Sequence, residues 1–406
     1  MADSARDHDI VVYGATGFVG VLTASYLAEH APPDVRIALG GRSQAKLEKT
    51  RDQLGVDWPL VVADSQDRDA VAALAKSARV VATTVGPYFK YGKSLVEACA
   101  AAGTHYADLT GEVLFMRWAI DAADAEARAS GARIVHTCGF DSIPSDIGTL
   151  LLYEASQAGG HGQLEETTFV AKAMRGGASG GTIDSARTTV DTLKKDPSSR
   201  RVLADPYALS PDRETEPDLG SERDSMKPLR DDRLGGWLAP FVMGSVNTRV
   251  VRRSNALQGH AYGRRLRYRE LMLTGGGPLG LAKAAGVSGG IAGLFAGLAT
   301  PGARQALDRV LPDPGEGPDE SARERGFFNI DIHTTTSSGK LLKCEIRVQG
   351  DPGYKATAVM LGESALCLAL DDLPDMAGVL TPASAMGRSL ADRLIAAGHS
   401  YSVVTE

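Results

Sequence analysis

Short apolar runs of strand character alternate with amphipathic stretches through about the first 150 residues, and then the alternation stops. The runs lie at 9–13, 35–39, 60–63, 79–84, 106–109 and 132–137, and the most regular helical stretches between them at 21–30, 93–102 and 114–130. Strand, helix and strand in that rhythm predict a doubly wound parallel sheet. In such sheets ligands bind beyond the carboxyl ends of the strands, which singles out the loops after each run.

Beyond residue 150 strand-like runs at 166–174, 247–253, 326–335 and 340–349 follow one another without regular crossover helices. They predict a second α+β domain with a mostly antiparallel sheet, carrying a helix at 181–195. The polar, Pro-, Asp- and Arg-rich stretch 196–235 is longer than an ordinary connection and reads as a functional lid or a disordered segment, and the acidic stretch 312–319 as a second such loop. Helical stretches at 364–370 and 382–397 are expected to pack back on the first domain. The resulting division is 1–150 for a nucleotide domain, 151–355 for a substrate and dimerisation domain, and 356–406 for a C-terminal helical segment.

Composition narrows the class. The 406 residues are 43% apolar and 23% charged with a net charge of −6, which suits globular domains and gives no overall attraction to nucleic acid. Cys99, Cys138, Cys344 and Cys367 are far apart and form no zinc or redox spacing, and the eight histidines form no metal-ligand pair, so no metal is expected. The polar N-terminus lacks the apolar core of a signal peptide, and a cytoplasmic location is expected. The uncharged, Gly- and Ala-rich stretch 284–303 reads as a buried or interface helix, with peripheral membrane contact as the other reading.

The first run leads into Gly14-Ala15-Thr16-Gly17-Phe18-Val19-Gly20. Glycines at this spacing permit a tight turn, the approach of a pyrophosphate to the backbone, and close helix-on-strand packing, with the anion at the helix N-terminus. About 20 residues on, a site for NAD places an acid for the ribose 2′-hydroxyl. This chain has Arg42, with Ser43 and Lys46 nearby, which suits the 2′-phosphate of NADPH. Asp64 is expected near the adenine, and Val85, Gly86, Pro87, Cys138 and Gly139 near the nicotinamide.

None of the 11 tyrosines has a lysine four residues later, so the proton delivery of short-chain reductases is excluded. Tyr88, Asp141 and Ser142, after the fourth and sixth runs, are the candidate catalytic residues, although Asp141 also suits a helix cap. Gly177-Ala178-Ser179-Gly180-Gly181 matches a nucleophile elbow but stands outside the parallel sheet that an elbow requires. Arg252, Arg253, Arg264, Arg265, Arg267 and Arg269 form a basic set that reads as a solvated face or as a receptor for the phosphate of a thioester carrier.

Together, DIVVYGATGFVG, GGR at 40–42, TTVGPYFKYG at 83–92, HYADLTGE at 105–112, CGFDSIPSDIG at 138–148, GEGPDE at 315–320 and GVLTPASAMG at 378–387 resemble the saccharopine dehydrogenase-like oxidoreductases, and among them the actinobacterial trans-acting enoyl reductases. The resemblance spans nearly the whole chain. It implies a Rossmann domain with an α+β partner domain, NADPH, and reduction of an α,β-unsaturated acyl thioester in lipid or polyketide synthesis, presented by a polyketide synthase carrier domain. A homo-oligomer is expected. A saccharopine-type dehydrogenase acting on a C–N bond and a non-catalytic NADP-binding protein are the alternatives.

Overall fold

The computed structural model describes residues 6–176, 180–309 and 317–405. The candidate elbow's Gly177, Ala178 and Ser179, and most of the acidic stretch at 312–319, lie outside the described residues. Six strands come first: β1 His8–Tyr13, β2 Ile37–Gly41, β3 Leu60–Val62, β4 Ala78–Thr83, β5 His105–Asp108 and β6 Arg133–Val135. Six more follow in the next part of the chain: β7 Leu164–Arg175, β8 Leu229–Asp231, β9 Gly236–Pro240, β10 Arg267–Gly275, β11 Phe327–Thr336 and β12 Leu341–Gln349. Near the C-terminus come β13 Gly378–Leu380 and β14 Ser400–Thr405.

One sheet is parallel, in the order β13-β6-β5-β4-β1-β2-β3. Its central strands read as apolar runs because helices cover both faces. Ile10, Val11 and Val12 are fully buried, and each such side chain contributes about 1.5–3 kcal/mol. The strand order reverses between β1 and β4, so a crevice opens where these two strands end. The second sheet runs β14-β12-β11-β7-β10-β9-β8 and is antiparallel except for the β7–β10 pair.

The helix Ile143–Ala158 leaves the parallel sheet and lies across the second one against β7, β11, β12 and β14. Gly148 permits that approach, since a Cβ there would stand 2.6 Å from Cδ1 of Ile332. The helix Lys355–Leu370 packs on the helix Phe18–His30 and on β4 and β5. The C-terminal segment is not purely helical, because β13 extends the first sheet and β14 the second.

Two expectations need correction. Residues 247–253 form no strand but lie inside the helix Gly244–Leu257, buried on almost every side. The β-branched residues that suggest a strand face the core at helical spacing, where packing outweighs propensity. The stretch 284–303 is not buried: it falls mainly in the helix Gly277–Ala299, whose most apolar window is only 11% buried.

Candidate functional site

The crevice between β1 and β4 is shaped by the glycine turn. The amides of Gly14 and Ala15 donate to the Gly40 carbonyl at 2.9 and 3.1 Å, and Gly17 donates back to Gly14 at 2.9 Å. Gly14 has φ +91°, and a Cβ on it would meet Oγ1 of Thr84 at 2.7 Å. A Cβ on Gly20 would stand 2.1 Å from the Gly14 carbonyl oxygen, so glycine alone lets the helix sit this close to the strand. Gly17 begins the helix Phe18–His30 in extended conformation with no side-chain cap. Its first-turn amides and the positive end of its dipole therefore suit an anion.

Along the same sheet edge Arg42 and Asp64 are exposed and Ser43 half-buried. Both charges act on the phenol of Tyr13, which donates to the Ala63 carbonyl at 3.0 Å. Ser43 precedes the helix Gln44–Leu54 with no side-chain capping bond, and Lys46 is exposed on its first turn. A glycine cradle that any Cβ would fill, an uncapped helix start and an exposed guanidinium at the second strand fit the phosphates of NADP.

A cavity of about 500 Å³ opens beside this cradle. Gly17, Phe18 and Val19 of the cradle line it, together with Gly86, Pro87, Tyr88, Gly111, Gly139 and Asp141. Its apolar lining includes Ile183, Leu203, Met243, Val246, Leu294 and Phe295. Gly14, Ala15 and Thr16 build the turn behind it, and Gly20 packs against that turn.

Of the candidate catalytic groups, Asp141 faces the cavity. Among the described residues its carboxyl has no hydrogen-bond partner, and burial pushes it up to about 6. Tyr88 presents its ring, but its hydroxyl donates to the Thr83 carbonyl and accepts from the Leu109 amide, both at 3.2 Å. Burial raises this phenol well above its usual value. Ser142 is fully buried behind the wall and donates to Oδ1 of Asn247 at 2.8 Å. Cys138 is fully buried with its thiol toward the Val135 carbonyl, and Val85 packs against the core.

The sequence gives no hint of what fixes these loops. Asp108, at the end of β5, accepts from the Tyr106 hydroxyl at 2.9 Å, the Thr110 amide at 3.0 Å and the Thr137 amide at 3.1 Å, and meets Nδ1 of His136 at 2.7 Å. This buried knot ties β5 to β6 and holds Thr137 at φ +64°, a strained conformation for a β-branched residue, on the cavity wall. Glu112 accepts from the amides of Tyr88 and Phe89 at 2.8 and 3.0 Å and from the Ser185 hydroxyl at 2.8 Å, and burial raises its carboxyl. Tyr354, whose ring meets Phe18 edge-on at 4.9 Å, is a further wall residue that motif spacing did not single out.

The basic set divides. Arg252 and Arg253 are buried structural residues: Arg252 donates to the Pro206 and Tyr268 carbonyls and Arg253 to those of Leu209 and Val379. They form no solvated face, because their helix lies in the core.

Residues 10–135 match the family model described as the saccharopine dehydrogenase NADP binding domain. A relative from Mycobacterium tuberculosis is 50% identical over 98% of each chain. A protein of Mycobacterium ulcerans named trans-acting enoyl reductase is 46% identical over 97% of each chain. Among solved structures, the saccharopine dehydrogenase (L-Glu forming) of Saccharomyces cerevisiae shares the fold, with a TM-score of 0.54 at 13% identity over 98% of this chain and 100% of that one. A glycine cradle within a matched NADP-binding domain, and whole-length identity to these relatives, identify an NADP-binding oxidoreductase that belongs to the saccharopine dehydrogenase-like family, among the trans-acting enoyl reductases.

Proposed function

We propose that this chain uses NADPH to reduce an α,β-unsaturated acyl thioester, in the cytoplasm, on intermediates of lipid or polyketide synthesis carried by a synthase. The observation that carries this reading is the cavity itself. It brings the nucleotide cradle, one unpartnered carboxyl and a set of apolar side chains to one chamber, as a hydride acceptor with an acyl tail requires.

Bound NADPH supplies the hydride, which goes to the β-carbon. The chain's own part is to exclude water, hold the tail among Ile183, Leu203, Val246 and Leu294, and deliver a proton to the α-carbon. Asp141 is the proposed proton source: its proton is retained up to about pH 6 and no neighbour competes for it. Among the described residues lining this cavity there is no lysine or arginine, whereas Glu112, Asp141 and Asp184 are acidic. An amino dicarboxylate such as saccharopine would meet repulsion there, whereas a neutral thioester does not.

The apolar helix Gly277–Ala299 is the proposed contact with a membrane surface. It lies on β9, with the Thr274 hydroxyl donating to the Gly280 carbonyl, so it rests on the molecule while presenting Leu279 and Leu281 outward.

The test mixes purified protein with NADPH or NADH and an enoyl thioester, or with saccharopine and oxidised cofactor, and follows nicotinamide absorbance. Consumption of NADPH with the enoyl thioester is expected, with the preference over NADH reduced tenfold or more in Arg42→Ala, about the strength of one charged hydrogen bond. Turnover of saccharopine alone, or binding of NADPH with no turnover of either substrate, overturns the reading.

A further inference from the structure

A second cavity, of about 710 Å³, is lined by a different part of the chain. It is lined by the segment 221–229, by Pro240 at the end of β9 and by Arg267 to Leu271 of β10. Val242, Ser245, Ile291 and Phe295 line both cavities, so the two chambers share a wall there. Val242 and Phe295 are 52% and 46% exposed, so the shared wall presents open apolar surface.

The charges around the second cavity do not cancel. Each carboxylate that lines it has a partner: Glu166 meets Arg267, Glu222 meets Arg252 and Arg267, and Asp224 meets Arg249 at 2.7 Å. Glu270 accepts from the Tyr268 hydroxyl and the Asn247 amide. Three cations remain. Among the described residues Arg223 and Lys227 make no ion pair or side-chain hydrogen bond, and Arg269 makes only a bond to the Thr168 hydroxyl at 3.0 Å, with no carboxylate partner. All three are exposed at the rim. Ser245, at the shared wall, has a hydroxyl with no partner among the described residues.

We propose that the second cavity receives a phosphorylated pantetheine arm, with its phosphate on Arg223, Lys227 and Arg269 and its thioester end passing Ser245 into the first cavity. This rests on the thioester reading given above and extends it to the site through which the substrate enters. The first cavity has no cation among its described lining residues, and the uncapped helix start that it does contain is the place of the cofactor's pyrophosphate. The rim of the second has three uncompensated cations, and phosphate is the anion that all thioester arms of this kind share. The exposed apolar pair Val242 and Phe295 then covers the start of the acyl chain as it crosses between the chambers.

The test is a calorimetric titration of the whole chain with 4′-phosphopantetheine and with unphosphorylated pantetheine, repeated on the double variant Arg223→Gln, Lys227→Gln. Because both side chains are exposed and unpartnered, the variant keeps its fold. Phosphopantetheine is expected to bind the unaltered chain at least tenfold more tightly than pantetheine, and the variant to lose that difference. In turnover, the variant raises KM for a phosphate-bearing enoyl thioester and leaves KM for the N-acetylcysteamine thioester unchanged. Coenzyme A binding more tightly than phosphopantetheine points to the free coenzyme as the source, and equal binding points to a carrier domain.

Equal binding of the two pantetheines, or a difference that survives in the double variant, overturns the proposal. Failure of the reductase reading looks different: phosphate-dependent binding persists while no enoyl thioester is reduced.

Discussion

Asp141 is the residue on which the chemistry turns. Its sequence position after the sixth run is enough to nominate it, because that loop lies at the carboxyl end of a parallel strand. Its partnerless state is not legible there, since burial of the carboxyl comes from the walls supplied by Gly111, Met243 and the surrounding loops. As a proton donor it must be protonated, and the fraction protonated falls tenfold per pH unit above about 6. The expected kcat/KM therefore declines from pH 6 to 8. Asp141→Asn should lower kcat by about 10²–10⁴-fold and remove that decline, while NADPH binding, read by fluorescence, is unchanged. Full activity in the variant would move the proton to water. Tyr88 shows the converse limit of sequence reading: its place on the cavity wall follows from the loop, but the Thr83 carbonyl that accepts its hydrogen bond is set by the folded backbone.

At the scale of elements, the strands and helices of the first sheet are legible because covered parallel strands read as apolar runs and their helices as amphipathic ones. The helix Gly244–Leu257 is not, because its polar residues, Asn247, Thr248, Arg249, Arg252 and Arg253 among them, are buried rather than turned to solvent, so the polar positions do not mark its outer face. The helix Gly277–Ala299 misleads in the opposite way. Its small apolar residues suggest close packing, yet Leu279 is 67% and Leu281 41% exposed, and only the helix's inner side touches β9, β10 and its helical neighbours. If this face rests on a membrane, each leucine contributes about 1.5 kcal/mol or more on burial. Leu279→Glu with Leu281→Glu should then weaken co-sedimentation with phospholipid vesicles by about 100-fold while leaving circular dichroism and NADPH binding intact. A chain that ignores vesicles and is dimeric until these residues change would assign the face to a second copy.

At the scale of the whole molecule, buried polar contacts join segments that the sequence keeps far apart. Asp146, in the helix Ile143–Ala158, accepts from the Ser254 hydroxyl and the Ala383 amide at 2.7 Å, tying the helix Gly244–Leu257 to the C-terminal segment. No local pattern reveals such a tie, because its partners are 108 and 237 residues away. Burial pushes Asp146 and Glu270 up to about 7 and Asp141 to about 6. In the unfolded chain these carboxyls release their protons near pH 4, so the stability linked to them is complete below that value and is lost as pH rises through 6 and 7. His105 and His399 oppose this over a lower range, since burial depresses both to about 4 and the unfolded chain takes up their protons below about 6.5. Arg36 and Arg347 hold Asp9 and Asp331 below the usual carboxylate value, so those two respond only in stronger acid. From about pH 6.5 upward Asp146 and Glu270 act without that opposition, and each proton is linked to about 1.4 kcal/mol per pH unit at most. Differential scanning calorimetry should therefore show Tm falling by a few degrees between pH 6 and 8, with a smaller fall in Glu270→Gln whatever its absolute stability. A Tm that rises over that interval, or an equal fall in the variant, would mean that these carboxyls ionise inside the fold at their ordinary values.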